Sequence, residues 1–226
     1  MRFQDAARDG RAVVYAAIQA DPLVARSSEL ISRASLDERI LARAVMNGES
    51  SDSDRWRRTF PTLFGPGSSG DREHAEAILA ASLAVADRGD QVRNQVRGAI
   101  VEELTARLLA RRADPATVRR ERRILFDGVP AEIHPYDVTL EAAGGAEAFD
   151  CKWGARGINA DVLHQLDDAR SHAHDEDEAL GVTLVVFDAE RSCRVRLDAQ
   201  TAPHAGTRLV ALEQLDELAT PGRTAR

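Results

Sequence analysis

The chain has 226 residues, enough for one moderately large domain or for a core with a small helical module, and 43% of them are hydrophobic, which supplies a sizeable interior. Only 4% are aromatic, so that interior draws mainly on Ala, Leu, Val and Ile. The formal charge of −7 excludes a uniformly basic surface, though not a local basic patch. No leader peptide and no apolar run long enough to span a bilayer is read, so a cytoplasmic protein with no membrane partner is expected. Its two cysteines, Cys151 and Cys193, are expected as buried thiols.

From the N-terminus, residues 12–20, 28–45 and 72–86 have helical patterns, separated by NGESSDSD and the Gly/Pro/Ser-rich FGPGSSG. They form an expected helical module over residues 1–90, serving targeting or assembly, ahead of a chemical domain over 91–226. Trp56, among Asp54, Arg55, Arg57 and Arg58, is read as packing within that module. Next, residues 98–109 carry an apolar stripe of Ile100, Val101, Leu104 and Leu108, with Glu102, preferred to Glu103, at its edge. A basic concentration comes after it at Arg107, Arg111, Arg112, Arg119, Arg120, Arg122 and Arg123, which are candidates for phosphate contact or a solvated surface paired with acidic neighbours.

A strand is expected to begin at Ile124-Leu125-Phe126, before the breaks at Gly128 and Pro130. Residues 136–141 and 147–153 then read as a β-hairpin. Alternation puts Asp150 and Lys152 on one face, with Phe149, Cys151 and Trp153 on the other. On the first strand Tyr136, Val138 and Leu140 form the apolar side, opposite Asp137, Thr139 and Glu141. A turn centred on Ala143-Gly144 sets Asp137 across from Asp150, and one centred on Gly144-Gly145 sets it across from Lys152. Beyond the hairpin, Asn159 or Asp161 caps a helix burying Val162, Leu166, Ala169 and Ala173. Residues 182–187 read as a well-covered central strand, 193–197 as a more exposed strand, 208–212 as another strand, and 213–218 as a closing helix, with a mobile tail from Pro221.

Either register gathers Asp137, Asp150 and Lys152. Paired carboxylates repel unless a cation or a shared proton offsets them, and oxygen ligation suits Mg²⁺, with Mn²⁺ as the alternative. The Cys151 carbonyl, waters and substrate phosphate oxygens complete the expected shell. Lys152 then orients the attacking water, assists its deprotonation or offsets developing charge, which is phosphodiester chemistry. The same spacing fits a two-sided hairpin with a solvated charged face. A rival zinc reading rests on His164, Asp168 and His172, which share a helix face at four-residue intervals.

With Asp137 on one strand and the FDCKWG segment carrying Asp150 and Lys152 on the next, the chain resembles the PD-(D/E)xK nuclease superfamily, in particular its Mrr-like restriction endonuclease branch. Gly98, Val101 and Glu102 resemble the family's helical glycine–apolar–glutamate pattern with one intervening position fewer, and Gln165 matches the glutamine often found on the following helix. Two departures stand out: Tyr136 separates Pro135 from Asp137, and the second acidic residue is aspartate where glutamate is common. The resemblance covers roughly residues 92–219. It implies an α/β, restriction-endonuclease-like fold, a mixed central sheet flanked by helices. It also implies catalysis by Glu102, Asp137, Asp150, Lys152 and Gln165, with Glu102, Asp137 and Asp150 holding metal. DNA is the implied partner, together with a homodimer or a defence-system protein, and the implied role is restriction or antiviral defence. The alternative is a catalytically inactive nuclease-like module for nucleic-acid binding or assembly.

Overall fold

The computed structural model describes residues 1–6, 10–48, 50–68, 70–130, 134–142 and 145–220, with the backbone alone at 10–12. Two compact units divide the chain: Gly10–Leu104, and Met1–Asp9 together with Thr105–Arg226. The division therefore falls at 104/105, within a helix, where the sequence pattern puts it at 90/91.

The first unit is helical: α1 (Gly10–Gln19), α2 (Pro22–Ser32), α3 (Leu36–Asn47), α4 (Ser53–Thr59), α5 (Pro61–Phe64), α6 (Arg72–Ala86) and the first part of α7 (Asp90–Leu109). The single helix expected over 28–45 is two helices, because Ser35 starts a new one. Its hydroxyl caps the Glu38 N–H while the Glu38 carboxylate takes the Ser35 N–H at 2.7 Å, a reciprocal box that fixes the break. Asp21 caps α2 and Asp71 caps α6 by the same logic. The NGESSDSD segment is a loop only in part, since Asp52 caps α4. Helix α6 packs on α2 and α3, burying Val24, Ile31, Leu41, Val45, Met46, Ile78 and Leu79. Trp56 is a packing residue: its indole N–H donates to the Ser50 carbonyl at 3.0 Å and its ring lies against Gly48.

The second unit is built on a six-stranded mixed sheet in the order β1 (Arg2–Asp5), β2 (Val118–Leu125), β3 (Tyr136–Ala142), β4 (Gly145–Lys152), β5 (Leu180–Val186) and β6 (Arg208–Val210). The first four strands pair antiparallel and β4, β5 and β6 pair parallel. Parallel pairing requires crossovers, supplied by α8 (Ala160–Asp175) and α9 (Glu190–Asp198). Val182, Thr183, Leu184, Val185 and Val186 are all buried, as a parallel strand covered on both faces demands. Asn159, not Asp161, caps α8, and Leu163, in place of the half-buried Val162, lies with Leu166, Ala169 and Ala173 on its buried side.

Four expectations change here. The N-terminal residues Arg2–Asp5 form the edge strand β1, too short and too polar to be read from periodicity. Strand β2 starts at Val118, so Arg119, Arg120, Arg122 and Arg123 lie within the sheet instead of preceding it. The expected strand 193–197 is helical: Cys193 and Leu197, four apart, are buried while Val195 is 65% exposed, so the alternation C-R-V-R-L was the wrong period. The strand expected over 208–212 stops at Val210, and the closing segment Leu212–Ala219 is a 3₁₀ helix with Leu212, Leu215 and Leu218 buried, a spacing of three that matches its three residues per turn. The turn at 143–144 and the tail from 221 lie outside the described residues. Among the described residues, no helix is long and apolar enough to cross a membrane.

Candidate functional site

Strands β3 and β4 pair with Val138 opposite Phe149 and Ala142 opposite Gly145. Continued by one residue, this register sets Asp137 opposite Asp150. The Asp137 carboxylate accepts the backbone N–H of Cys151 at 2.6 Å, directly beyond Asp150. By alternation Ala148, Asp150 and Lys152 share a face, and Ala148 belongs to the core under α8. Cys151 points the other way, its thiol donating to the Thr105 hydroxyl at 3.4 Å. The charged pair therefore occupies the C-terminal end of β4 beside parallel β5, the end of an α/β sheet where crossover loops leave room for a ligand.

This face is not the solvated surface of a two-sided hairpin. Asp150 is 7% exposed and Thr139 is fully buried. A buried carboxylate requires compensation, and the Lys152 ammonium provides it by pairing with Asp150 Oδ1. Burial pushes the Lys152 pKa down, but the negative charges of Asp150 and then Asp137 push it up further, and the net shift is upward. Lys152 is consequently a cation at neutral pH, placed to donate to an oxyanion or to offset its charge. The three groups expected to converge do so.

The remaining candidates have other partners. Glu102 is buried, unlike Glu103, and its carboxylate accepts the Tyr15 hydroxyl and, at 2.9 Å, the Gln19 amide. Tyr15 and Gln19 lie four apart on α1 and so share a helix face, a spacing that could have flagged them in the sequence. All three belong to the Gly10–Leu104 unit, whereas Asp137, Asp150 and Lys152 belong to the sheet unit. Gln165, on α8, donates its side-chain amide N–H to the His134 carbonyl at 3.0 Å, three residues before Asp137, while its backbone carbonyl accepts the Tyr136 hydroxyl.

Among the arginines, Arg112 has a side chain only 8% exposed and is committed to Glu147 at 2.7 Å and the Leu218 carbonyl at 2.9 Å. Arg122 is committed to Glu141 at 2.8 Å and to Asp5. These two are structural cations, not open phosphate contacts. Arg111 and Arg119 are exposed, and Arg107, Arg120 and Arg123 are half-buried.

His164, Asp168 and His172 line a cleft of about 340 Å³ with His134, Asp161 and Gln165, over a floor of Ile124, Phe126, Val129 and Pro130. The His172 ring leans on Phe126 with centroids 5.5 Å apart. Among the described residues, no group of three or more His, Cys, Asp and Glu side chains is arranged to hold a metal ion, which counts against the zinc trio. At Asp137 and Asp150 the donor set is two carboxylates, suited to a hard divalent cation only if water, backbone or substrate oxygens complete the shell.

Sequence reasoning missed Asp188, buried at the end of β5, whose carboxylate accepts the backbone N–H groups of Ala155 at 3.0 Å and Ala189 at 2.7 Å. An aspartate directly after the apolar run V-T-L-V-V-F was the available signal. Both cysteines are buried thiols that form no disulfide, as expected.

No family model and no curated protein matches the chain. Among solved structures, protein VC1899 from Vibrio cholerae is similar over 97% of this chain and 57% of its own, with 16% identity and a TM-score of 0.48. The chain thus spans little more than half the length of that protein.

Proposed function

We propose that the sheet unit is a PD-(D/E)xK-like, restriction-endonuclease-type domain that hydrolyses DNA phosphodiester bonds with Mg²⁺, or Mn²⁺, in restriction or defence against foreign DNA. The observation that carries this reading is the convergence of Asp137, Asp150 and Lys152 at the C-terminal end of β4, with Asp150 buried beside a lysine whose pKa is raised. Asp137 and Asp150 would hold the cation, which supplies charge stabilisation to the phosphate and lowers the pKa of a water. Asp137 is kept aimed by the Cys151 N–H. Lys152, protonated, offsets charge developing on the phosphate, worth most where water is excluded. Gln165 orients the approach to β3 through His134. Arg119, exposed on β2, contacts the DNA backbone.

A second reading, a catalytically silent nuclease-like module for nucleic-acid binding or assembly, draws better support from the ligand count: among the described residues no three-ligand metal group is present, and Asp150 already has Lys152 as its counter-charge. Incubation of circular duplex DNA with wild type and Lys152→Ala, each in Mg²⁺, Mn²⁺ or EDTA, separates the two. Metal-dependent nicking by wild type that disappears in the variant supports the nuclease. DNA retention in EDTA with no nicking under any metal supports the silent module.

A further inference from the structure

Lys152 is the last residue of β4, and the loop leaving it is unusually well tied down. Phe187 N–H donates to the Lys152 carbonyl at 2.9 Å, and the Trp153 ring stacks on Phe187 at 4.9 Å. The chain then turns through a short 3₁₀ helix, Ala155–Gly157. Ala155 and Ile158 are both buried in the core with Leu163, Val186, Cys193 and Leu197. Asp188 binds the Ala155 N–H with one carboxylate oxygen and the Ala189 N–H with the other, tying this loop to the start of α9. Arg196 of α9 donates to the Ile158 carbonyl at 3.0 Å and closes the far end.

The loop so held passes directly over the Lys152 side chain. A Cβ added at Gly157 would lie 3.0 Å from Lys152 Cβ and Cδ and 3.1 Å from Cγ. The φ of Gly157 does not require glycine, so contact with the lysine stem is the reason for a residue without a side chain. A long, flexible lysine loses rotamer freedom only where something confines it. Here the stem is confined between strand and loop, and the ammonium emerges against Asp150.

We propose that loop 153–158, clamped by Asp188 and passing over the lysine at Gly157, holds the Lys152 ammonium in register with Asp150. Asp188 and Gly157 are positioning residues for Lys152. Their role in turnover rests on the nuclease reading above, but their role in placing the ammonium does not.

The test uses the full chain as wild type, Gly157→Ala and Asp188→Asn, each checked for folding by thermal melt, with two readouts. The first is the Lys152 side-chain ammonium signal in ¹⁵N-lysine-labelled protein at one neutral pH, which a stable Asp150 pair protects from exchange. The second is the rate of plasmid cleavage at saturating DNA, alongside DNA affinity. Loss or shift of the ammonium signal in either variant supports the inference, and in an active enzyme it is accompanied by a fall in kcat of about tenfold or more with DNA affinity unchanged. A shifted signal with an inactive wild type retains the positioning role and rejects the nuclease reading. An unchanged Lys152 signal in whichever variants fold overturns the positioning role, whether or not the wild type cleaves DNA. Asp188→Asn loosens the clamp without adding bulk against the lysine stem and keeps one acceptor, so it reports even if Gly157→Ala does not fold.

Discussion

The Asp137 carboxylate accepts the Cys151 backbone N–H at 2.6 Å, so one side chain both faces the site and satisfies the strand that carries Asp150. These two roles are separable. Asp137→Asn retains a side-chain oxygen for Cys151, whereas Asp137→Ala leaves a partly buried N–H without its partner, at a cost of about 1–3 kcal/mol. Urea unfolding should show Asp137→Ala destabilised by that order and Asp137→Asn close to wild type. Both variants should lose metal-dependent cleavage. Equal stabilities for the two would show that the hydrogen bond contributes nothing to the fold.

Lys152 supplies the positive charge next to Asp150, and a divalent cation is the natural substitute. Removing the ammonium in Lys152→Met leaves a carboxylate 7% exposed and uncompensated. Because the lysine side chain remains 25% exposed, the cost should be below that of a fully buried pair, about 1–3 kcal/mol. Mg²⁺ should then raise the melting temperature of Lys152→Met more than that of wild type, since any ligand bound only by the folded state stabilises it. Identical responses of the two proteins to Mg²⁺ would count against Asp137 and Asp150 as a cation site.

How much of the fold and the site was legible in the sequence varied with the range of the interactions involved. The Asp137, Asp150 and Lys152 grouping came from period-two alternation and a short hairpin, both local. The cap at Asn159 and the covered strand at 182–186 were local as well. Strand β1 was invisible because its partner β2 lies more than a hundred residues away and supplies its pairing. The segment around Cys193 was misread because five residues alternating apolar and basic satisfy a strand template, and only the burial of Cys193 and Leu197 against the core selects the helix. The partners of Glu102 and the two backbone contacts of Asp188 are tertiary, and no spacing rule specifies which carboxylate finds which N–H or hydroxyl.

The arginines on and before β2 divide into structural and available charge, and salt dependence of DNA binding should report the division. Arg112 is nearly buried and holds both Glu147 and the Leu218 carbonyl, so Arg112→Ala should destabilise the fold, by about 3 kcal/mol, as breaking a buried pair does. Arg119 is exposed, and Arg119→Ala should leave the melting temperature unchanged. If Arg119 contacts a phosphate, its removal should reduce the slope of log K against log salt by about 1. Filter binding across a salt series checks this, and an unchanged slope removes Arg119 from the interface.

The helical unit carries its own pH-sensitive pair. Arg57 reaches Glu76 at 2.8–3.1 Å through Nε and Nη2, a two-pronged contact that ties α4 to α6. These hydrogen bonds hold the Glu76 pKa below its ordinary value of 4.5. A carboxylate with a depressed pKa in the fold contributes stability that is fully present above its unfolded pKa and is lost as pH falls through the folded one. Glu76→Gln should therefore melt below wild type at pH 7, and the gap should close as pH drops from about 4.5 toward the lower folded value. The pair is about one-third exposed, so salt should narrow the gap at neutral pH as well. Thermal melts from pH 7 to about pH 3 measure the gap directly. A difference that persists unchanged at the acid end would assign the effect to packing of the side chain instead of its charge.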